Sequence, residues 1–266
     1  MTHTPLFENW RVDLDGMPFD VTLDLAWGEA YPVRGAPWFF GVRVPMADRQ
    51  EDGTPPRDEA RRLDMVENRI RALLRGRDGI YVGRRTGGNN RDLLFYLPDR
   101  PRGVEDRIRA SVGMEILFIS RRDAGWMGYE QLLPTAKDWH QIDEQKRIED
   151  LVAQGFEVDS VYEIVHTIST PIMKGAEALS RFCQKLELDG ITIEGEAPNL
   201  RVTARHLIPL RADVVCDVSW LLLKKSPKAK GEYEGWEAFD TATEVTESPE
   251  TEEDLMALLT NLARSD

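Results

Sequence analysis

The amino-acid sequence predicts an α+β protein with two domains in tandem, and three observations lead to this prediction. Its 266 residues are enough for one large domain or two of medium size. Segments in which apolar and polar residues alternate, typical of strands, are interleaved with segments that carry apolar residues every three to four positions, typical of helices. The same order of segments occurs once in each half of the chain, which indicates two domains of similar architecture.

The first half contains strands, helices and one hairpin in a regular succession. The predicted elements are strands at 18–27 and 38–46, a helix at 58–75, a hairpin at 79–99, a short helix at 103–111 and a strand at 114–121. The longer helix has one apolar stripe, formed by Leu63, Val66, Ile70, Leu73 and Leu74. The hairpin turns at Gly87–Asn90, where glycine and asparagine supply the positive φ angles of a tight turn.

The second half repeats this succession. The predicted elements are a polar helix at 134–154, a strand at 156–169, a helix from 171 to 186, a hairpin at 190–210, a helix at 212–225 and an extended segment at 231–240. Strand, helix, hairpin, helix and strand in this order form the ferredoxin-like, or split βαβ, arrangement. We therefore predict two ferredoxin-like domains in tandem, followed by an acidic tail. The expected boundaries are 1–123 for the first domain, 124–134 for a linker, 135–240 for the second domain and 241–266 for the tail.

The net charge of −13 is concentrated at the C-terminal end. From Glu232 onward the chain has 11 acidic residues and one basic residue, Arg264. An acidic protein is poorly suited to the phosphate backbone of nucleic acids, whereas an acidic segment suits a basic protein partner. Within the tail, four leucines at helical spacing predict a short amphipathic helix at 253–264.

A group of arginines in the first half leaves direct RNA contact open as an alternative. The group consists of Arg69, Arg71, Arg75, Arg77, Arg84, Arg85 and Arg91. Together with Tyr81 it would form a basic face with an aromatic ring for stacking. The other interpretation is that these arginines pair with acidic residues nearby in the sequence, such as Glu59, Asp64 and Glu67. The acidic total favours the second interpretation, so we expect no direct nucleic-acid binding.

No pattern indicates a membrane segment, a metal site or a cofactor. No apolar run approaches the roughly 20 residues of a membrane helix, and the N-terminus lacks a signal-peptide pattern, so we expect a cytoplasmic protein. Cys183 and Cys216 lie in apolar helical patterns and are expected to be buried thiols. The four histidines are not spaced as metal ligands, so neither a metal nor a cofactor is predicted.

Two histidines are the residues from which a ligand cleft could be built. His166 and His206 lie on separate predicted strands of the second domain and could approach each other. A small-ligand domain or an enzyme of unknown reaction, with a site between the two domains, is therefore the alternative function. The sequence has no GxSxG nucleophile motif and no phosphate-binding GxxxxGK[ST] loop, so no catalytic residue is predicted.

The segment GEYEGW, which follows the last predicted helix, is the candidate partner-binding surface. Its aromatic residues combine a large apolar area with a polar tip, and its acidic residues would form a rim around them. The proposed partner-binding residues are Glu232, Tyr233, Glu234, Gly235, Trp236 and Glu237. The acidic rim would steer a basic segment of another protein toward this end of the domain.

Residues 138–240 resemble the RraB family, whose members are bacterial regulators that inhibit ribonuclease E by binding it. The resemblance rests on His166, Phe182, the turn LDGI at 188–191 and GEYEGW at 231–236. Members of the family usually have Tyr-Asp-Gly-Trp at the end of the domain, and here Glu234 replaces the aspartate. The resemblance implies a ferredoxin-like fold and a non-enzymatic regulator. Its partner would be ribonuclease E or another RNA-decay component, and the known partner segments are disordered and rich in arginine.

Residues 7–121 resemble another bacterial family, DUF family 695, which often precedes an RraB-like domain. The matching residues are Trp10, Asp15–Gly16 with Pro18, Asp52–Gly53 with Pro55, Glu67, Gly83, Thr86, Arg91 and Phe95–Tyr96. No established activity follows from this resemblance. The sequence therefore predicts a function for the second domain only.

Overall fold

A computed structural model of the protein describes residues 3–14, 17–51 and 53–240. The predicted acidic tail and its helix at 253–264 lie outside the described residues, as do Asp15, Gly16 and Asp52. The described part is an α+β protein with one six-stranded and one four-stranded antiparallel sheet and with helices. The chain divides into two compact units after Asp143.

The first unit is built on the six-stranded sheet. Its strands are β1 (Phe7–Leu14), β2 (Met17–Asp24), β3 (Trp38–Pro45), β4 (Ile80–Gly87), β5 (Asn90–Leu97) and β6 (Leu117–Arg122), in the order β1-β2-β4-β5-β3-β6. Its helices are α1 (Arg57–Arg75), α2 (Val104–Val112) and α3 (Met127–Glu130), and a 3-10 turn covers Leu25–Glu29. Helix α4 (Ala136–Ala153) begins in this unit and ends in the second.

Both faces of the sheet are covered near its centre, because successive residues of a strand point to opposite faces. In β3, Phe40 and Val42 belong to a core cluster with residues of α1 and α2, whereas Phe39 belongs to a second cluster. The second cluster also contains Trp126 and Tyr129, both fully buried.

The segment 124–134, expected as a linker, contributes these two aromatic residues to the core of the first unit. The Trp126 indole Nε1 donates a 3.0 Å hydrogen bond to the carbonyl of Ala36, and the Tyr129 hydroxyl donates a 2.9 Å bond to the carbonyl of Asp24. The division of the chain after Asp143 lies on the C-terminal side of this segment.

The second unit has the four-stranded sheet. Its elements after α4 are β7 (Val161–Thr170), α5 (Met173–Lys185), β8 (Asp189–Glu194), β9 (Leu200–Pro209), α6 (Ala212–Lys225), a 3-10 turn at Ser226–Ala229 and β10 (Glu232–Phe239). The strand order is β10-β7-β9-β8, and every neighbouring pair is antiparallel. Alternate residues of β7 are buried in clusters that include residues of α5 and α6. The extended segment predicted at 231–240 is thus an edge strand of this sheet.

Candidate functional site

The predicted partner-binding residues all lie on β10, whose position makes them part of a sheet edge. Among the described strands, β10 pairs only with β7. The register shifts between Tyr233 and Gly235, so Glu234 has no register partner on β7. Gly235 has a φ of 119°, a value that favours glycine, and it provides the irregular backbone of this bulge.

The side chains of β10 divide into an exposed acidic set and a buried aromatic anchor. Glu232, Glu234 and Glu237 are exposed, whereas Trp236 is only 2% exposed. The carboxylates are therefore accessible to a partner in this structure. Trp236 instead packs with Ile148, Ile164 and other apolar residues of the second unit.

Helix α4 holds Trp236 in place through two polar side chains. The indole Nε1 donates a 2.6 Å hydrogen bond to Oε2 of Glu144, which is itself buried. The guanidinium carbon of Arg147 lies 4.5 Å from the centre of the indole ring, in a cation–π arrangement. Arg147 also donates a hydrogen bond to the carbonyl of Trp236. These contacts attach the edge strand to the middle of α4.

The two histidines predicted as a possible ligand cleft meet within the second sheet. Nε2 of His166 on β7 lies 3.0 Å from Nε2 of His206 on β9, and Nδ1 of His166 lies 2.7 Å from the hydroxyl oxygen of Tyr233 on β10. Because both ring nitrogens of the fully buried His166 have partners, its imidazole has a structural role as a link across three strands. Tyr233 thereby connects strand β10 to the histidine pair.

The environment keeps this chain of side chains uncharged. Burial lowers the pKa of His166 to about 3, with further lowering by His206 and Arg147, and burial lowers the pKa of His206 to about 4. Burial, and then the nearby charge of Glu144, raise the pKa of Tyr233. Two neutral imidazoles can share one proton between their Nε2 atoms, which is the contact observed.

The described part of the second unit also contains two cysteines. Cys183 and Cys216 are buried and form no disulfide, as predicted, and burial raises the pKa of Cys183 to about 11. A thiol with a raised pKa is a poor nucleophile.

Across residues 3–240 as described, no three His, Cys, Asp or Glu side chains are grouped to hold a metal ion. None of the described helices is long and apolar enough to cross a membrane.

Charged residues of both signs surround the beginning of β10. A groove of about 640 Å³ is lined in part by Glu194, Glu232, Glu234, Arg201 and Lys230. Arg201 forms an exposed ion pair with Glu234, with 3.2 Å between Nη2 and Oε2. An exposed pair of this kind is weak and exchanges readily with charges of a partner.

Several arginines of the first unit pair with local acidic residues, as one of the two interpretations of the sequence anticipated. Arg91 donates a 2.6 Å hydrogen bond to Asp64, and Arg84 donates a 2.9 Å bond to Glu67. Arg91 is only 4% exposed. The guanidinium of Arg71 lies over the Tyr81 ring. These guanidinium groups are engaged within the protein.

Four of the residues that carry the resemblance of the first half make contacts or close approaches within the first unit, namely Glu67, Gly83, Thr86 and Arg91. Glu67 accepts hydrogen bonds from Tyr81, Arg84 and Arg91, and Arg91 also donates a 3.2 Å bond to Thr86. At Gly83, a Cβ atom would lie 2.3 Å from the carbonyl oxygen of Thr22 on β2, so glycine permits the close approach of two strands.

Comparison with known proteins confirms both resemblances. Residues 7–133 match the sequence model of the "Family of unknown function (DUF695)", and residues 141–238 match that of "Regulator of ribonuclease activity B". The chain therefore has an N-terminal DUF695 domain and a C-terminal RraB domain. The first match extends to residue 133 and so includes most of the segment expected as a linker.

Other comparisons add little. No curated protein matches the chain. A solved structure entitled "Crystal Structure of an Unknown Protein from Galdieria sulphuraria" is 10% identical to it, and the match covers 76% of this chain and 97% of that chain with a TM-score of 0.25. Similarity at this level supports no conclusion about fold or function.

Proposed function

We propose that this protein is a non-enzymatic bacterial regulator that binds a protein of RNA turnover in the cytoplasm, such as ribonuclease E or a related nuclease. The observation that carries the proposal is the match of residues 141–238 to the family of regulators of ribonuclease activity B, whose members are not enzymes. The DUF695 domain has no known function and is not assigned one by this match.

We also propose that each unit has the ferredoxin-like arrangement. In the second unit, β7-α5-β8-β9-α6-β10 is a β-α-β-β-α-β succession in which β7 lies between β10 and β9. In the first unit, β3-α1-β4-β5-α2-β6 has the same succession, with β1 and β2 added beside β4. In both units, the order of the elements along the chain and of the strands in the sheet supports the proposal of two ferredoxin-like units in tandem.

The proposed contact surface is the acidic edge formed by β10. Glu232, Glu234 and Glu237 would bind lysine or arginine side chains of the partner, because all three carboxylates are exposed on one edge strand. Tyr233 and Trp236 would act by holding this strand, through His166 and α4 respectively. Gly235 would shape the bulge that leaves Glu234 unpaired on the β7 side.

A charge-reversal series tests this surface. The triple variant Glu232→Lys, Glu234→Lys and Glu237→Lys is expected to weaken partner binding by about tenfold or more, mainly through a slower association rate, because rim charges steer encounters. The matched control is Glu157→Lys, Glu177→Lys and Glu187→Lys, which makes the same charge change at exposed positions of the same unit. Equal binding by the two triple variants would remove β10 as the contact surface.

The partner itself is identified by affinity capture from the native host, read by mass spectrometry. We expect a ribonuclease or another RNA-decay component to be recovered with the full chain. A parallel capture with a chain ending at Asp240 measures the contribution of the acidic residues that follow. Recovery of enriched proteins unrelated to RNA turnover would contradict the proposed function, and loss of the partner on truncation would move the contact from β10 to residues 241–266.

A further inference from the structure

A cavity in the first unit has the composition of a small-molecule site. It has a volume of about 250 Å³ and lies where the beginning of β1, the end of α1 and the beginning of β4 meet the 3-10 turn after β2. We propose that this cavity binds a small aromatic carboxylate. The proposal goes beyond the function assigned to the RraB domain, because the lining residues all lie in the first unit, and all of them except His3 and Pro5 fall within the DUF695 match at 7–133.

Aromatic side chains form much of the cavity wall. Phe7, Tyr81 and Phe95 form a continuous aromatic surface, with ring centres 5.9 Å apart between Phe7 and Tyr81 and 5.1 Å apart between Tyr81 and Phe95. Trp27 lines the cavity as well and is stacked on the ring of His3 at 3.7 Å. Such walls favour a flat, apolar ring.

Two guanidinium groups line the cavity. Arg71 and Arg75 lie one turn apart on α1, and both line the cavity. Arg71 is held over the Tyr81 ring, 4.3 Å from its centre, and its Nη1 lies 3.6 Å from Oε1 of Glu67, so its charge is already offset. Arg75 is exposed and has no ion-pair partner among the residues that the structure describes. A free guanidinium at the end of an aromatic cavity is suited to binding a carboxylate through paired N–H groups.

The one carboxylate in the cavity wall is already satisfied by local donors. Asp24 is buried, and its oxygens accept hydrogen bonds from the backbone N–H groups of Leu6 and Ala26 and lie 2.6 Å from His3 Nε2. Among the described lining residues, the guanidinium of Arg75 is therefore the charge left for a ligand, and it favours an anionic ligand over a cationic one.

Trp27, which lines the cavity, also carries a buried donor. Nε1 of Trp27 is buried and has no hydrogen-bond partner among the described residues. Buried N–H groups of folded proteins nearly always have an acceptor, and one without an acceptor is unfavourable. Because the Trp27 side chain lines the cavity, its N–H resonance would report a ligand bound there. Because the volume lies just below the range of about 300–1,000 Å³ for drug-sized ligands, the ligand has one ring or two fused rings.

The test uses nuclear magnetic resonance of the full chain labelled with ¹⁵N. The probes are phenylacetate and indole-3-acetate, with the uncharged phenylacetamide and indole-3-acetamide as matched probes. The chain has seven tryptophans, and the indole N–H resonance that is missing in Trp27→Phe identifies Trp27. We expect the two carboxylates to shift this resonance in a saturable manner and the two amides to bind at least tenfold more weakly.

Variants separate a specific site from weak association with a basic surface. Arg75→Ala is expected to raise the Kd of the carboxylate probes about tenfold, because it removes the unpaired guanidinium. The control is Arg77→Ala, an exposed arginine two residues further on that does not line the cavity, which is expected to leave the Kd unchanged. No shift of the Trp27 resonance at millimolar probe, equal binding of acids and amides, or equal Kd values for the two variants would each overturn the proposal.

Discussion

The indole nitrogen of Trp236 and the carboxylate of Glu144 form a buried 2.6 Å hydrogen bond that joins the edge strand β10 to helix α4. The two residues are 92 positions apart in the chain. The bond explains why the aromatic residue of the acidic segment is an internal anchor, while the glutamates beside it are exposed.

Replacement of Glu144 tests this anchor. Glu144→Ala leaves the buried indole N–H without its acceptor, so we expect the free energy of unfolding of the second unit to fall by about 1–3 kcal/mol. Glu144→Gln keeps an acceptor oxygen and is expected to lose less. Urea denaturation of the full chain, followed by tryptophan fluorescence, measures both changes. Equal stability of Glu144→Ala and the wild type would show that the bond does not stabilise β10.

The bulge in β10 depends on the backbone conformation of Gly235. At its φ of 119° a side chain is strained, and a Cβ atom would lie 3.0 Å from an Arg147 nitrogen. We expect Gly235→Ala to destabilise the protein by about 1–3 kcal/mol, mainly through backbone strain. Gly28→Ala is the control, since its Cβ would have no neighbour within 4 Å and its backbone has no positive φ. Thermal unfolding of the two variants should show the lower Tm for Gly235→Ala.

The histidine pair makes stability depend on pH. The folded-state pKa values of His166 and His206 are about 3 and 4, below the ordinary value of 6.5. Between the folded-state pKa of each histidine and pH 6.5, the unfolded chain therefore binds more protons than the folded one. The contribution of the two histidines to the free energy of unfolding is complete above about pH 6.5. It is lost as the pH falls towards 3–4, by up to about 1.4 kcal/mol per pH unit for each neutral histidine. Because His206 is partly exposed, its contribution to this pH dependence is smaller.

Denaturation at pH 7.5 and pH 5 measures this dependence, in a range where most carboxylates stay ionised. We expect the wild type to lose more stability between these two pH values than His206→Gln, which has one titrating ring fewer. The same loss in both proteins would show that the histidine pair is not held neutral in the folded state.

Asp123 organises the segment that follows the first sheet. Its carboxylate accepts hydrogen bonds from the Tyr96 hydroxyl at 2.7 Å and from the backbone N–H groups of Met127 and Gly128. Asp123→Ala should therefore loosen α3, and we expect amide hydrogen exchange of Trp126 and Tyr129 to accelerate by about tenfold to a hundredfold, equivalent to about 1–3 kcal/mol. Asp99→Ala, at an exposed position, is the control. Unchanged exchange in Asp123→Ala would mean that the aromatic packing alone holds the segment.

Local sequence patterns were sufficient to predict an element when one of its faces is buried and the other is exposed. The alternation in 156–169 predicted β7, whose residues are in fact alternately buried and more exposed. The glycines and asparagines at 87–90 predicted the β4–β5 turn, which the strand pairing confirms. Strand β1 was missed, although Trp10, Val12 and Leu14 alternate in it, because the pattern is short and Phe7 falls out of phase.

The segment 124–134 shows where local patterns fail. Its glycine and polar residues are typical of a linker, and nothing in its spacing indicates that Trp126 would stack on Tyr96, with ring centres 4.0 Å apart. That contact exists because the sheet presents an apolar second face, and this face results from pairing six strands.

The sequence by itself determined the periodicity of the elements, the family of each domain and the acidic character of the last strand, because all three are properties of neighbouring residues. Only the tertiary structure decided which side chains meet. The contact between His166 and His206, the anchoring of Trp236 by Glu144 and the engagement of Arg91 by Asp64 all join residues that are at least 27 positions apart. Such contacts depend on strand register and on how helices pack on the sheet, and residue spacing along the chain does not specify either one.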